Sequence, residues 1–451
     1  MKFLISIVMA LAFVSTAPAA APATKIERIV TPGGIEIWHV RDDTLPMVSM
    51  EFGFLGGSAQ DPADKPGVAT MVAALLDEGA GDLDSRAFQE RLEERAIALS
   101  FSAQRDTMRG SLKSLTEHRE QAFALLNLAL TRPRFDAQAI DRIRAGMLAG
   151  IRRRSTDPNQ IGGERWFAKA FPGHPYGRPQ RGDLESVAKI AAADLQAMHR
   201  DTFARSNLKV ATIGAIDAVE IAKLVDRGFA GLPERPTLAP VDDVVPQGNG
   251  VHDIIEMDVP QTVITFGGVG LKRSDPDFIP AFVLNHILGG GSFSSRLYRE
   301  IREKRGLAYS VYSALSPMQH AGLFIGGVST RNDRAAESLA IILEQIREIA
   351  ADGPSADELG KAKSYLIGSF PLRFDTSAKI AGQLLEIQIE NLGIDYIDRR
   401  NSLIQAVSAE DVRRAAARFL TDASLLVTLV GRPDPAPAPA LARPSAPANR
   451  G

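Results

Sequence analysis

The 451-residue chain contains no cysteine. That absence excludes disulfides, thiolate nucleophiles, cysteine-ligated zinc, iron–sulfur clusters and a lipid-bearing cysteine. Histidine is scarce: His39, His118, His174, His199, His252, His286 and His320 make seven, and no two stand at i, i+3 or i, i+4. A helix-borne pair of imidazoles aimed at one metal ion is therefore missing. His174, within a His-Pro-Tyr-Gly run, reads as a loop hydrogen-bond former, and His286 as a partly buried residue at a helix end. Neither sign of charge dominates, since 52 basic and 54 acidic side chains leave a formal net charge of −2. Without surplus cations to neutralise phosphates, nucleic acid is not expected as the main partner. Beyond the N-terminus no apolar run approaches the length of about 18 residues that crossing a bilayer requires.

What is present is an ordinary globular composition, 45% hydrophobic and 24% charged, on a chain long enough for several domains. Met1-Lys2, the apolar run Phe3 to Val14 and the small residues Ser15 to Ala20 have the layout of a secretory signal peptide, expected to cover residues 1–22. The chain is therefore expected to be exported, periplasmic or secreted. At the other end, residues 433–451 form a Pro/Ala-rich tail that cannot build a core.

Between these ends the sequence repeats itself. Phe52-Gly53 ahead of Asp61-Pro62 matches Phe266-Gly267 ahead of Asp275-Pro276 (266 − 52 = 214). SRAFQERLEERAIALSFSA from Ser85 matches SRLYREIREKRGLAYSVYSA from Ser295 (295 − 85 = 210). The segments around Asp194 and Asp411 match at 411 − 194 = 217. Three ordered offsets so close together indicate duplication, with halves at 23–233 and 251–432. The linker at 234–250 is rich in Pro, Gly and acidic residues, without periodicity.

In the first half Ile35 to Val40, Val48 to Leu55 and Leu208 to Ile213 read as strands. Gly67 to Glu78, Ser85 to Ala96, Glu117 to Leu130 and Ala137 to Arg154 read as helices, with Asp84 or Ser85 placed to cap the second. Grouped strands and grouped helices predict an α+β fold, a tandem pair of mainly antiparallel sheets with helices packed on one face. Arg152-Arg153-Arg154 reads as a cationic helix end.

Three segments carry a family resemblance: LPMVSMEFGFLGGSAQDPADKPGVATMVAALLDEGAG, HPYGRPQRG from His174, and GGGSFSSRLYREIREKRGLAYSVYSAL from Gly289. With these the chain resembles the M16 (pitrilysin/insulinase-like) metallopeptidases from about Ile26 to Gly431. In that family the catalytic half carries His-x-x-Glu-His on a helix, and a further Glu ligand about 75 residues on. Matching the flanks places Thr70 and Ala74 at the two His positions, Ala73 at the Glu, and Ala149 and Gly150 where carboxylates are expected in the distant segment. The resemblance thus implies no metal and no cofactor in this chain, with zinc held by a partner subunit.

The resemblance also assigns an Arg and a Tyr seven residues apart that reach across to the partner's site; Arg302 and Tyr309 stand at that separation. Both can donate to an attacked peptide carbonyl as its oxygen becomes negative. An offset of 210 sets Leu92 and Leu99 at the matching places of the first half. Gly289, Gly290, Gly291 and Ser292 lack the ending and the preceding strand of a phosphate loop. They are expected to allow a close turn, and by the resemblance to touch substrate at the mouth of a peptide chamber. The implied function is the non-catalytic subunit of a heterodimeric peptidase acting on short or unfolded peptides. The alternative is an inactive scaffold or peptide-binding protein.

Overall fold

The computed structural model describes residues 25–248, 250–420 and 425–434. The expected signal peptide, and the tail from residue 435 on, lie outside the described residues. The first half contributes β1 (Ile26–Val30), β2 (Glu36–Arg41), β3 (Met47–Leu55), β4 (Ala98–Ala103), β5 (Thr107–Leu115) and β6 (Leu208–Gly214). Its longer helices are α1 (Val68–Leu75), α2 (Ser85–Glu93), α3 (Arg119–Thr131), α4 (Ala137–Arg154), α5 (Pro158–Ala170), α6 (Ala192–Thr202) and α7 (Ala218–Gly228). The second half contributes β7 (His252–Glu256), β8 (Gln261–Val269), β9 (Val311–Pro317), β10 (Gly322–Arg331) and β11 (Leu426–Gly431). Its longer helices are α8 (Phe278–Asn285), α9 (Ala335–Asp352), α10 (Ala356–Gly368), α11 (Ser377–Ile389), α12 (Tyr396–Ala406) and α13 (Ala409–Phe419).

The first sheet runs β1-β2-β6-β3-β5-β4 and the second β7-β11-β8-β10-β9. Apart from the extra edge strand β1, the two orders are the same under the repeat. Among the described residues only the β2–β6 and β7–β11 pairs are parallel. One side-chain device is duplicated with them. Phe52 lies opposite Gly110 on the neighbouring strand, and Phe266 opposite Gly326. A Cβ on Gly110 would stand 2.1 Å from the Phe52 ring, and one on Gly326 2.3 Å from the Phe266 ring. Each phenyl therefore covers the bare backbone of a glycine that no other residue can replace. In the first half Phe52 and Phe54 both stack edge-on against Phe229, and Phe54 against Phe203, which seats the sheet on its own helices. The predicted cap holds as well: the Asp84 side chain accepts from Ala87 N–H at 2.8 Å at the start of α2.

Helices on one face are only part of the packing, because each half lends a helix to the other. α5 crosses the outer face of the second sheet, along β8 and β11. There the buried Trp166 indole N–H donates to Leu426 O at 3.0 Å, and Thr428 Oγ1 donates to Gly162 O at 3.0 Å. α11, 377 − 158 = 219 residues further on and also 13 residues long, crosses the first sheet along β3 and β6. Its Leu384 and Leu385 pack with Trp38, Val40 and Ile213, and the Gln388 amide donates to Val210 O at 2.9 Å. Both sheets are consequently covered on two sides, the condition under which strands become continuously apolar.

A polar latch joins the halves beside α5. The Tyr176 hydroxyl donates to Asp106 Oδ1 at 2.7 Å and accepts from His320 N–H at 3.0 Å, while Gln319 N–H donates to Asp106 Oδ2 at 3.2 Å. Burial and the adjacent Asp106 push the phenol upward, so it stays protonated. The 234–250 linker is pinned to this seam. Gln60 exchanges two hydrogen bonds with the Ala239 backbone, Val244 N–H donates to His320 O, and Gln247 N–H donates to Ala170 O.

In the second half, Ser355 and Glu358 form a capping box at the start of α10. Glu358 also takes a two-pronged bond from Arg296, Nε and Nη2 each at 2.8 Å. That guanidinium holds the Glu358 carboxyl down to about 2.

Two outcomes are expected. Trp166→Ala removes a fully buried indole and costs about 3–5 kcal/mol. Although Trp166 belongs to the first half, hydrogen exchange should accelerate in β8 and β11 of the second; acceleration confined to the first half would contradict the helix exchange. The depressed Glu358 carboxyl contributes stability that is full above its unfolded value near 4.5 and lost as pH falls toward 2. The urea midpoints of wild type and Glu358→Gln should accordingly differ at pH 7, draw together below about pH 4.5 and converge only near pH 2. A constant gap would remove Glu358 from the acid sensitivity.

Candidate functional site

The helix matching the zinc helix is α1. It starts after Gly67, whose φ of 104° needs a glycine. The Asp61 carboxylate accepts from Gly67 N–H and Ala69 N–H at 2.7 Å each, capping the helix; burial raises its pKa to about 7 against those two donors. On this helix the Thr70 hydroxyl donates to Gln180 O at 3.0 Å, Ala73 is buried and Ala74 half-buried. On α4, Ala149 is exposed and Gly150 buried. One hydroxyl engaged as a donor, together with methyl groups and a hydrogen, offers no carboxylate or imidazole, so these residues do not fit zinc. Among the described residues no group of three His, Asp or Glu is placed to hold a metal. His174 does form loop hydrogen bonds, accepting from Tyr176 N–H at 3.1 Å and meeting Asp242 O at 3.1 Å. His286 is buried and stacks on Tyr365 with ring centroids 5.0 Å apart.

Arg302 and Tyr309 come together. The guanidinium carbon of Arg302 sits 4.2 Å from the Tyr309 ring centroid and 5.0 Å from that of Tyr298. Its Nη1 donates to Tyr309 O at 3.3 Å, and among the described residues no carboxylate pairs with it. Tyr309 is 80% exposed, which leaves its hydroxyl available to a second molecule.

The comparison with Leu92 and Leu99 needs correction. Ile97 N–H closes helix α2 on Leu92 O, whereas Leu307 N–H closes its counterpart on Ile301 O. The second copy winds Arg299–Glu303 as a π-helical turn, with Lys304 N–H bonded five residues back to Arg299 O. That wider turn changes the register. Buried Ile301 takes the place of Leu92, and Val311, aligned through the duplicated Phe–Gly pairs, takes that of Leu99. Arg302, inside a π-turn of the kind often found at functional sites, and Tyr309, beyond its end, are thus residues displaced from the core pattern rather than substitutes within it.

A second π-helical turn, His286–Gly290, extends α8 and delivers Gly289 to Ser292. A Cβ on Gly289 would lie 2.5 Å from Ser313 Oγ, one on Gly290 2.6 Å from Asn285 Nδ2, and one on Gly291 2.6 Å from His286 O. Close approach therefore requires the glycines, as the sequence suggests. Ser292 itself has a left-handed φ of 46°. Gly290 stands at the rim of a cavity of about 470 Å³ floored by α11 and α12.

A further feature carries no motif. Arg153 and Arg154, legible only as a helix end, line a cleft with Arg105, Arg178 and Arg181. Gln180, bonded to Thr70, lies in its wall. The only sequence hint is the pair of arginines in HPYGRPQRG.

Comparisons with known proteins agree with this geometry. Residues 40–183 match the family model Insulinase (Peptidase family M16), and residues 189–366 match Peptidase M16 inactive domain. The chain is 27% identical over 417 residues to the Non-peptidase homolog YmxG of Helicobacter pylori, across 91% of this chain and 94% of that protein. It is 24% identical over 419 residues to the mitochondrial-processing peptidase subunit beta of Blastocladiella emersonii, across 91% and 89% of the two chains. A crystal structure of a peptidase M16 inactive domain from Pseudomonas fluorescens superposes with a TM-score of 0.85 at 30% identity, covering 90% of this chain and 98% of that one. With the likeness running through both halves, the chain belongs to the M16 peptidase family, as a member in which no zinc-ligand set stands among the described residues.

Proposed function

We propose that this chain is the non-catalytic subunit of an exported, heterodimeric M16 peptidase, paired with a chain that owns the zinc motif. The observation that carries the reading is the Arg302–Tyr309 pair: stacked at 4.2 Å, without an acidic partner among the described residues, with Arg302 on a π-turn and Tyr309 exposed beside it. The partner supplies the metal and the attacking water. On this side, the Tyr309 phenol and the Arg302 guanidinium donate to the scissile carbonyl oxygen, where negative charge develops. Arg302 also fixes Tyr309 by holding its carbonyl, so the two donors arrive as a unit. Gly290 borders the space that the peptide would enter. Short or unfolded peptides suit such a site, bound as an added strand on a sheet edge of the partner.

A second reading, an inactive scaffold or peptide-binding protein, is favoured by the zinc-helix positions Thr70, Ala73 and Ala74 and by the relative named as a non-peptidase homolog. Assay of a quenched peptide separates the two. The peptidase reading expects cleavage by the mixed subunits only, abolished by chelator. Tyr309→Phe should lower kcat/KM about 100- to 1000-fold, an energetic loss of about 2.7–4 kcal/mol, while the complex still elutes as a heterodimer. Wild-type turnover from Tyr309→Phe would remove the phenol from the mechanism, and no turnover in any mixture would favour the scaffold.

A further inference from the structure

The cleft beside the vacated zinc positions has a volume of about 1220 Å³ and is bounded by the end of α4, by α5, by residues 177–181 and by Ile254 and Ile255 of β7. Six arginines line it, Arg105, Arg153, Arg154, Arg165, Arg178 and Arg181, against two carboxylates. Of the six, Arg165 is matched by Asp253 at 2.6 Å. Among the described residues no carboxylate lies within ion-pairing distance of the other five. The two acids do little to balance them. Asp157 is used as the cap of α5, accepting from Asn159 N–H at 2.9 Å. Glu164 faces Arg154 and Arg105, but burial pushes its pKa up and weakens it as a counterion.

Arg105 and Arg178 are held in place. Arg105 donates to Gln180 Oε1 at 3.2 Å, lies 4.0 Å above the Phe167 ring, and has a buried Nε without a hydrogen-bond partner. Arg178 donates to Asp61 O at 2.6 Å. Burial and the neighbouring Arg181 and Arg153 all work against the charge on Arg154. Like charges confined together cost stability, and an anion entering among them recovers that cost.

We propose that this cleft binds acidic, unstructured peptide segments, whose side-chain carboxylates pair with Arg105, Arg154 and Arg181. Guanidinium forks match carboxylates bidentately, and five such groups spread through one cleft exceed what a single carboxylate needs. Arg105 is recessed against Phe167, within reach of an extended chain but not of the flat face of a folded protein. Phe167, Ile254 and Ile255 offer apolar wall to the methylene stems of Glu. A smaller cavity of about 280 Å³ shares Arg105, Phe167 and Gln180 with the cleft, but there Arg109 is paired with Glu386, and Asp106 and Glu390 also line the wall, so the unpaired positive charge is confined to the larger cleft. The site needs neither a partner subunit nor a metal, and it stands apart from the role of Arg302 and Tyr309.

Fluorescence anisotropy on the full chain alone tests it. The probe is a labelled peptide of about 12 residues built of Glu, Gly and Ser with an amidated C-terminus; the control replaces every Glu by Gln and keeps a free carboxylate. The acidic peptide should bind at least about tenfold tighter than the control, and lose about tenfold as salt rises from about 50 to 500 mM. Arg154→Glu with Arg181→Glu should weaken it by at least about tenfold, Arg181→Gln alone by less, and the remote Arg86→Glu not at all. Circular dichroism checks that the double variant is folded; if it is not, Arg181→Gln decides. Equal binding of the two peptides, unchanged binding by the cleft variants, or displacement of the peptide by lower concentrations of a single-stranded oligonucleotide would each overturn the proposal.

Discussion

The exchange of α5 and α11 is the constraint on which the rest of this structure depends. A sheet that is apolar on both faces needs cover on both. Here each half supplies one layer for itself and takes the second from its duplicate. The contacts are specific as well as apolar: the Trp166 indole is bonded to the last strand of the other half, and the Gln388 amide to Val210. The Tyr176–Asp106–His320 latch lies on the same seam. The two halves are therefore a single cooperative object, and anything docked along their shared inner surface meets residues from both.

Much of this was legible before any coordinates. The repeat offsets locate the duplication, and the shared strand order follows from it. Helix α4 spans the predicted residues Ala137 to Arg154, and Asp84 caps α2 as its side-chain chemistry implies. What was not legible is instructive. Apolar periodicity tells that α5 and α11 each have a face to bury, but not which sheet will receive it. The register around Arg302 was equally hidden, because residue counting assumes α-helical winding and a π-turn breaks that assumption. The aligned position of Arg302 was thus misleading, while its pairing with Tyr309 survived, since both flank the same closed turn.

At the former ligand positions, loss and gain accompany one another. Once α1 carries no carboxylate or imidazole ligands, Thr70 uses its hydroxyl to hold the Gln180 backbone, and the segment carrying Arg178 and Arg181 closes over the helix. A place that would be crowded with negative ligands instead stands beside uncompensated guanidinium groups. A divalent cation is repelled there twice over, by missing donors and by positive potential.

The borrowed helix also sets a timetable for synthesis. The last strand of the first sheet ends at Gly214, but the helix that covers its outer face ends at Ile389, 389 − 214 = 175 residues later. At translation rates of 5–20 residues per second, that apolar surface waits roughly 10 to 35 seconds for its cover. During this interval the nascent chain has a half-dressed sheet, a natural client for holdase chaperones and poorly suited to folding piecemeal on the ribosome.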